Sequence, residues 1–540
     1  MKRVVLVACV ATAAAAQPAF EGALGFGAVA TGGRGGRVLH VTTLAASGPG
    51  SFAEAARASG PRYIVFDVSG VIVGDVELAN GDVTIAGQTA PGAGITLNGH
   101  LFTPYDRGVG NLVVRFLRVR PPPPNGTWPA SQHDAIQMSD VTRAIFDHVD
   151  VSHGVDELVD HWLGGRDVTW QHSLLSFPNP SGGHPEGAHP YCLIAHDGDT
   201  GTGGGRVSVV NNLFAHCRVR TPALSIGPAE AVNNVVFDGR EGFVHHNVAR
   251  GDFRIAGNTY VDGPSANLVP FWFDADNDPA PTRYFMGDNR VLHPGTFEGL
   301  VENPWTTPNF ANEYTFAPSH ITQAQFFGLD ATPAAFGGTG YGAFTRAPVD
   351  AAYTRVLDCA GAWPRDHVAT TAVAETRART GTQRNLPLGD LLSGLTPGAA
   401  PLDTDRDGMP DAWETQRGLD PMTDDHSAPL GAWPALEVYL DELAASLAPC
   451  GASLPPVDAG VLVPDAGMVD AGRPDAGTVD AGAVAPVADA GVMTADAGAD
   501  GHEPVGGGCG CGAAPTGLLL SGLWGLARRR RARSLPVARG

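Results

Sequence analysis

Val207-Ser-Val-Val-Asn-Asn212-Leu-Phe and Phe253-Arg-Ile-Ala-Gly-Asn258 decide the fold. Each is a short apolar run that ends on an amide. The same text recurs between roughly Arg62 and Val261, in Tyr63-Ile-Val-Phe-Asp-Val, Val83-Thr-Ile-Ala, Leu112-Val-Val-Arg-Phe-Leu-Arg-Val, Ala144-Ile-Phe-Asp and Val168-Thr-Trp. Runs of about five residues bounded by Gly, Asn and Asp read as β-strands. No helix-period segment separates them, which argues against a doubly wound sheet. A polar ring or amide follows the strand at His148, His172, Asn212, Asn234 and Asn258, at spacings of 24, 40, 22 and 24. A steady period with one long interval predicts a β-solenoid whose coils stack like on like. Amides at one turn can then bond along the stack and satisfy each other. The long interval predicts an insertion from about Phe177 to Arg206, rich in Gly, Pro and His, looping over the face where a cleft would lie.

The flanks are of other kinds. Met-Lys-Arg, an apolar run from Val4 and small residues to Ala16 read as a signal peptide over 1–16, so a secreted protein is expected. Leu6-Val-Ala-Cys9 resembles a lipoprotein box, although the apolar segment before it is very short. The solenoid domain is assigned to 17–398, a calcium-loop segment to 399–449, a disordered linker to 450–508 and a terminal tail to 509–540. The linker repeats Asp-Ala-Gly after Val457, Pro464, Val469, Pro474 and Val479, and such text cannot bury a core. In the segment before it, Asp403, Asp405, Asp407, Asp411 and Glu414 occupy positions 1, 3, 5, 9 and 12 of a twelve-residue loop. Gly408 stands at position 6, and Met409 offers its carbonyl at position 7. This is the pattern of an EF-like calcium loop, and Leu436 to Leu447 after it has helical spacing.

The formal net charge is −21, and Lys2 is the only lysine. No basic block occurs in the folded region, which excludes nucleic acid as a partner. A polyanion would be repelled at long range and would need arginine and a bound cation locally. Outside leader and tail four cysteines remain, Cys192, Cys217, Cys359 and Cys450, with three possible pairings. Cys192 with Cys217 is favoured, because their separation of 25 is close to one coil.

Further motifs follow in order: Gly25-Phe-Gly27, Thr31-Gly-Gly-Arg-Gly-Gly36, Ser47-Gly-Pro-Gly-Ser51, Ile64-Val-Phe-Asp-Val-Ser-Gly70 and Ala86-Gly-Gln-Thr-Ala-Pro-Gly92. Phe146-Asp-His148, Asp156-Glu157, Asn211-Asn-Leu-Phe-Ala-His216 and Pro364-Arg-Asp366 continue the series. Over roughly residues 18 to 449 this text resembles the bacterial pectate lyases of polysaccharide lyase family 1. The resemblance implies an all-β right-handed parallel β-helix, a Ca2+ cofactor and a pectate (polygalacturonate) or related uronide substrate cleaved by β-elimination. It implies Asp134, Asp156 and Asp160 as calcium ligands and Arg220, in Arg220-Thr-Pro222, as the base.

The residues themselves allow two tests. Asp156 and Asp160 would lie roughly 13 Å apart on a straight strand, too far for one ion, so the chain must bend there or one of them is not a ligand. Arginine is normally protonated, so a base at Arg220 demands a desolvated site or alkaline pH. Arg218, two residues back, shares its face if the strand is regular and would bind a substrate carboxylate. Tyr191 or a neighbour stands where the family often has a lysine, and Ala223-Leu-Ser225 replaces further arginines. His184-Pro-Glu186-Gly-Ala-His189 lacks the helical spacing of a zinc motif and reads as a polar loop. The alternatives are a non-catalytic polysaccharide-binding β-helix and a pectin hydrolase on the same fold. Cys509-Gly-Cys511, the apolar stretch Ala513 to Ala527 and Arg528 to Arg531 resemble the sorting tails of myxobacterial surface proteins. Attachment to the cell surface and a monomeric state are therefore expected.

Overall fold

Asn212, Asn234, Asn258 and Asn289 sit one above another inside the protein, each on the next coil. The side-chain carbonyl of each takes the backbone N–H of the asparagine before it, at 2.9 to 3.2 Å, and each amide N–H2 donates to a strand carbonyl, Asn234 to Val209 O at 2.8 Å. Ser173 heads the stack, with its N–H on Asn212 Oδ1 at 2.8 Å. The ladder answers for polar groups that the turn would otherwise bury unpaired. In the computed structural model, residues 17–450 are described apart from 106, 197–203, 246–248, 266–267, 274–281, 309–313 and 317–320. The expectations for 1–16, 451–508 and 509–540 lie outside the described residues.

The expected column of polar turn residues is corrected by one position. His148 and His172 align with Asn211 and Asn233, not with Asn212 and Asn234, because Asp147 faces Gln171, Gln171 faces Val210 and Val210 faces Val232. All four turn residues adopt positive φ, between 48° and 59°. Asparagine reaches that region most readily among non-glycine residues, so both columns attract it, and adjacent Asn pairs hide which one is which.

Among the described residues, parallel strands form sheets of eleven, nine and ten members, joined turn by turn into a right-handed parallel β-helix. One edge pair, Asn289–His293 with Phe297–Val301, is antiparallel. Inside, one column runs Ile64, Ile85, Val114, Phe146, Trp170, Val209, Ala231 and Ile255. Phe146 and Trp170 stack within it at 4.2 Å. Outer faces are covered rather than wet. The helices Val349–Cys359 and His367–Ala378 lay Val356, Leu357, Val368 and Ala372 on Leu213, Val235, Phe237 and Val261. The segment after 398 packs its Met409, Leu436 and Leu440 on Tyr63, Val65 and Ala86. Its helix runs over Ala435–Leu447, where helical spacing was expected.

The insertion is not one loop. The strand Tyr191–Ala195 lies within it and pairs with Glu157–His161. Its apolar run Cys192-Leu-Ile-Ala195 carries the strand pattern, which the surrounding Gly, Pro and His obscure. Cysteines pair as Cys192–Cys217 and Cys359–Cys450. Asn234→Ala strips the partner from Asn212 N–H and from Val209 O, so it should destabilise the fold by about 2–4 kcal/mol, read as a lower midpoint in urea unfolding.

Candidate active site

Three short strands of the nine-stranded sheet, Ile136–Gln137, Glu157–His161 and Tyr191–Ala195, run side by side. Ile136 faces Val159, which sets Asp134 beside Glu157, and Glu157 faces Tyr191. The Glu157 N–H donates to Asp134 Oδ1 at 2.9 Å. The His133 carbonyl accepts from Val155 N–H and Asp156 N–H, at 2.8 and 3.3 Å, which folds Asp156 back over the same spot. Carboxylate oxygens of Asp134, Asp156 and Glu157 consequently lie within 4.8 Å of one another. Asp134 is buried, and that burial, followed by the charge of Asp156, holds its carboxyl well above the usual range; Arg220 opposes the shift.

A hard divalent cation suits this set. Calcium bonds oxygens at 2.3–2.6 Å, so one ion spans oxygens up to about 5 Å apart. The third carboxylate closing on Asp134 and Asp156 is Glu157, which the sequence reading did not name as a ligand. Asp160 belongs to the regular strand Glu157–His161, in register with Gln137 and Ile194, three steps or about 10 Å along from Glu157. The bend that brings Asp156 in therefore precedes the strand. The neighbouring acidic letter in Asp156-Glu157 was the available signal.

Arg220 enters from the next coil. Tyr191 bridges Val219, and Leu193 N–H donates to Arg220 O at 2.9 Å. The disulfide from Cys192 to Cys217 ties the same two segments. The Arg220 guanidinium pairs with the Glu157 carboxylate and stands over the Tyr191 ring, 4.7 Å from its centre. Burial lowers its pKa to about 10, against the raising effect of Asp156, Asp134 and Glu241. Its backbone is left-handed, φ 63°, an uncommon state for an arginine. That turn overrides the expected regular strand, so Arg218 and Arg220 do not share a strand face. Arg218 is half-buried, and its charge acts on His189 and Tyr191 instead.

The second expected cation site lies at the C-terminal segment. Asp403, Asp405 and Asp407 bring carboxylate oxygens within 4.8 Å of one another. Asp403 accepts from Arg406 N–H and Gly408 N–H at 2.8 and 3.0 Å, and Asp407 accepts from Met409 N–H at 2.9 Å. Asp405 Oδ2, both oxygens of Glu414 and Asp425 Oδ1 are buried without a hydrogen bond. Burial first, then Asp407, Asp405, Asp425 and Asp403, push the Glu414 carboxyl up to about 8. Acceptors gathered with no donor fit a calcium ion. Asp411 is turned away, both oxygens on Thr404 at 2.7 Å, while Asp425 was not foreseen because it lies outside the twelve-residue loop.

Among curated proteins, the probable pectate lyase C of Aspergillus fumigatus is 32% identical over 457 residues, covering 82% of this chain and 97% of that one. The probable pectate lyase C of Neosartorya fischeri is 33% identical over 455 residues with the same coverage. The chain belongs to the pectate lyase family. No protein-family model matches. Among solved structures, a pectate lyase of Paenibacillus sp. 0602 aligns at TM-score 0.41 and 13% identity, covering 63% of this chain and 95% of that one. The cedar pollen major allergen aligns at 0.42 and 19%, covering 62% and 90%. These two curated relatives are fungal.

Calcium at a hundredfold excess over its Kd should stabilise this family member by about 3 kcal/mol per site, read as a higher melting temperature. Glu414→Gln should lose the share owed to the C-terminal loop, and unchanged calcium stabilisation would remove Glu414 from that site.

Proposed function

We propose that the chain cleaves 4-linked galacturonan by β-elimination, with Arg220 as the base beside a calcium held by Asp134, Asp156 and Glu157. The observation that carries the reading is a largely buried guanidinium set against a cluster of three carboxylates, in a chain 32% identical to a probable pectate lyase over 82% of its length. Bound calcium would neutralise the uronate carboxylate and so acidify the proton on C5. Arg220 takes that proton. The C5–H electron pair becomes the C4–C5 double bond, and the bond from C4 to the glycosidic oxygen breaks. The leaving oxygen keeps that bond's electrons and takes a proton from water to end as a hydroxyl, and Arg220 returns its proton to solvent. Glu157 and the Tyr191 ring fix the guanidinium in place, and Arg218, beside Tyr191, adds a positive charge for a neighbouring uronate.

An acidic chain needs that arrangement. At net charge −21 the protein repels a polyanion, and the cation with Arg218 and Arg220 reverses the sign only at the cut. The finer readings, membership of polysaccharide lyase family 1, secretion after Ala16, action as a monomer and surface attachment through the tail, rest on the sequence motifs and belong to this proposal.

On polygalacturonate, ultraviolet absorbance from unsaturated uronide should rise with calcium and stay flat with a chelator. Arg220→Ala, folded by circular dichroism, should lose at least about a hundredfold in kcat. A hydrolase would release reducing ends with no absorbance. The pH profile has a defined sign. The base works only after losing its proton, and the neutral fraction of Arg220 grows as pH climbs towards about 10. The rate should therefore increase across the alkaline range, and a maximum below neutrality would remove Arg220 as the base.

A further inference from the structure

We propose that Asp156, His184 and His189 form a site for a transition-metal dication of the Zn2+ class, sharing Asp156 with the carboxylate cluster. The loop between the strands Leu174–Ser176 and Tyr191–Ala195 reverses at a turn closed by Gly187 N–H on His184 O, 3.0 Å. Gly187 has φ 94°, which a side chain would resist. The reversal lays the His184 and His189 rings over each other, centres 4.1 Å apart. Both then point Nε2 at one oxygen. His184 Nε2 is 3.2 Å and His189 Nε2 is 3.5 Å from Asp156 Oδ1. Both imidazoles are 6% exposed, so the arrangement is built rather than a chance surface meeting.

The distances fit a tetrahedral ion. With bonds of 2.0–2.1 Å, ligand atoms around four-coordinate zinc stand about 3.3 Å apart. The observed separations bracket that value, and all three ligand atoms lie within 4.8 Å of one another. Two imidazoles and a carboxylate leave a fourth position for water, and imidazole nitrogen selects Zn2+, Co2+ or Ni2+ over calcium. His189 Nδ1 faces the exposed Glu186 carboxylate at 3.9 Å, beyond hydrogen-bond distance. His184 Nδ1 accepts the Glu186 N–H at 3.2 Å. A neutral ring that binds through Nε2 carries its proton on Nδ1, so ion binding exchanges this contact and shifts the loop tip.

Asp156 belongs to both groups, and two dications held on one carboxylate repel each other. The two sites are therefore antagonistic, and on the functional reading above a zinc-class ion inhibits elimination by taking Asp156 from calcium. The test uses the full chain stripped of metal and titrated with Co2+, read by its visible absorption, then with Zn2+ in competition. One equivalent of Co2+ should disappear in His184→Ala and in His189→Ala, and Zn2+ at that site should bind at least tenfold more weakly. His184→Gln, with melting curves, checks that loss of binding is not loss of fold. Variants with wild-type Co2+ stoichiometry and band intensity overturn the site. Saturating Ca2+ should weaken Co2+ binding, and independent binding of the two overturns the shared carboxylate. The readout is metal binding, so a chain that binds Co2+ through these histidines but releases no unsaturated uronide keeps this proposal and overturns the preceding one.

Discussion

The register between neighbouring coils is the constraint on which everything else rests. In a strand, successive side chains point to opposite faces, so a slip of one residue would exchange inside for outside. The asparagine ladder pins that register, since each Oδ1 meets the N–H of the coil before it only when the stack is aligned. With the ladder in place, Val159 and Leu193 face the core while Asp160 and Ile194 face out. Asp134, Glu157 and Tyr191 fall into one row at the start of three consecutive strands, and Arg220 meets them from the fourth. The site is a by-product of stacking. Among Asp134, Asp156, Glu157, Tyr191 and Arg220, Asp156 and Glu157 are the one pair close in sequence.

Buried charge serves two purposes here, and its balance tells them apart. Arg120 is fully buried between Asp150, at 2.7 Å, and Asp366, at 3.2 Å. Asp366 also caps the helix His367–Ala378 through Ala369 N–H, so this cluster fastens a helix to the coil. Arg115 likewise joins Asp147 on the coil to Asp441 on the C-terminal helix. In both places one guanidinium sits within ion-pair distance of two carboxylates that belong to different segments, so the charge fastens the segments together. At the candidate site three carboxylates crowd together around one guanidinium, and at the C-terminal loop oxygens of Asp405, Glu414 and Asp425 are buried without a hydrogen bond. Acceptors in excess at one place favour either protonation or a bound cation, and the raised carboxyls of Asp134 and Glu414 register that pressure.

Much of the fold was legible in the text, because strand length and period are local properties. The C-terminal loop was legible for the same reason: Asp403, Asp405 and Asp407 are close in sequence and close in space. What depended on pairing across coils was not. The histidine column slipped by one, since Asn211-Asn212 and Asn233-Asn234 each offer two candidates for a single turn position. Glu157 was not singled out, because the turn at His133 that folds Asp156 back beside it is a long-range contact. Arg218 was assigned by strand parity, and the left-handed backbone at Arg220 cancels parity. The histidine pair looked like an ordinary loop, since nothing in its spacing announces that a glycine turn stacks the two rings.

Asp156 is the point where these threads join. It lies just before a strand, so its position is set by a turn rather than by the sheet, and it can lean towards either neighbour. On one side are Asp134 and Glu157, oxygen donors that suit a hard ion. On the other are two imidazoles, which suit a softer one. Chemistry that must neutralise a uronate needs an ion with free coordination positions and fast exchange, which the oxygen side provides. An ion drawn to the nitrogen side would be held more tightly and less usefully. On the proposed reading the working ion is thus decided by which partners Asp156 keeps, and the glycine turn that sets the imidazoles beside it bears on that chemistry as directly as Arg220 does.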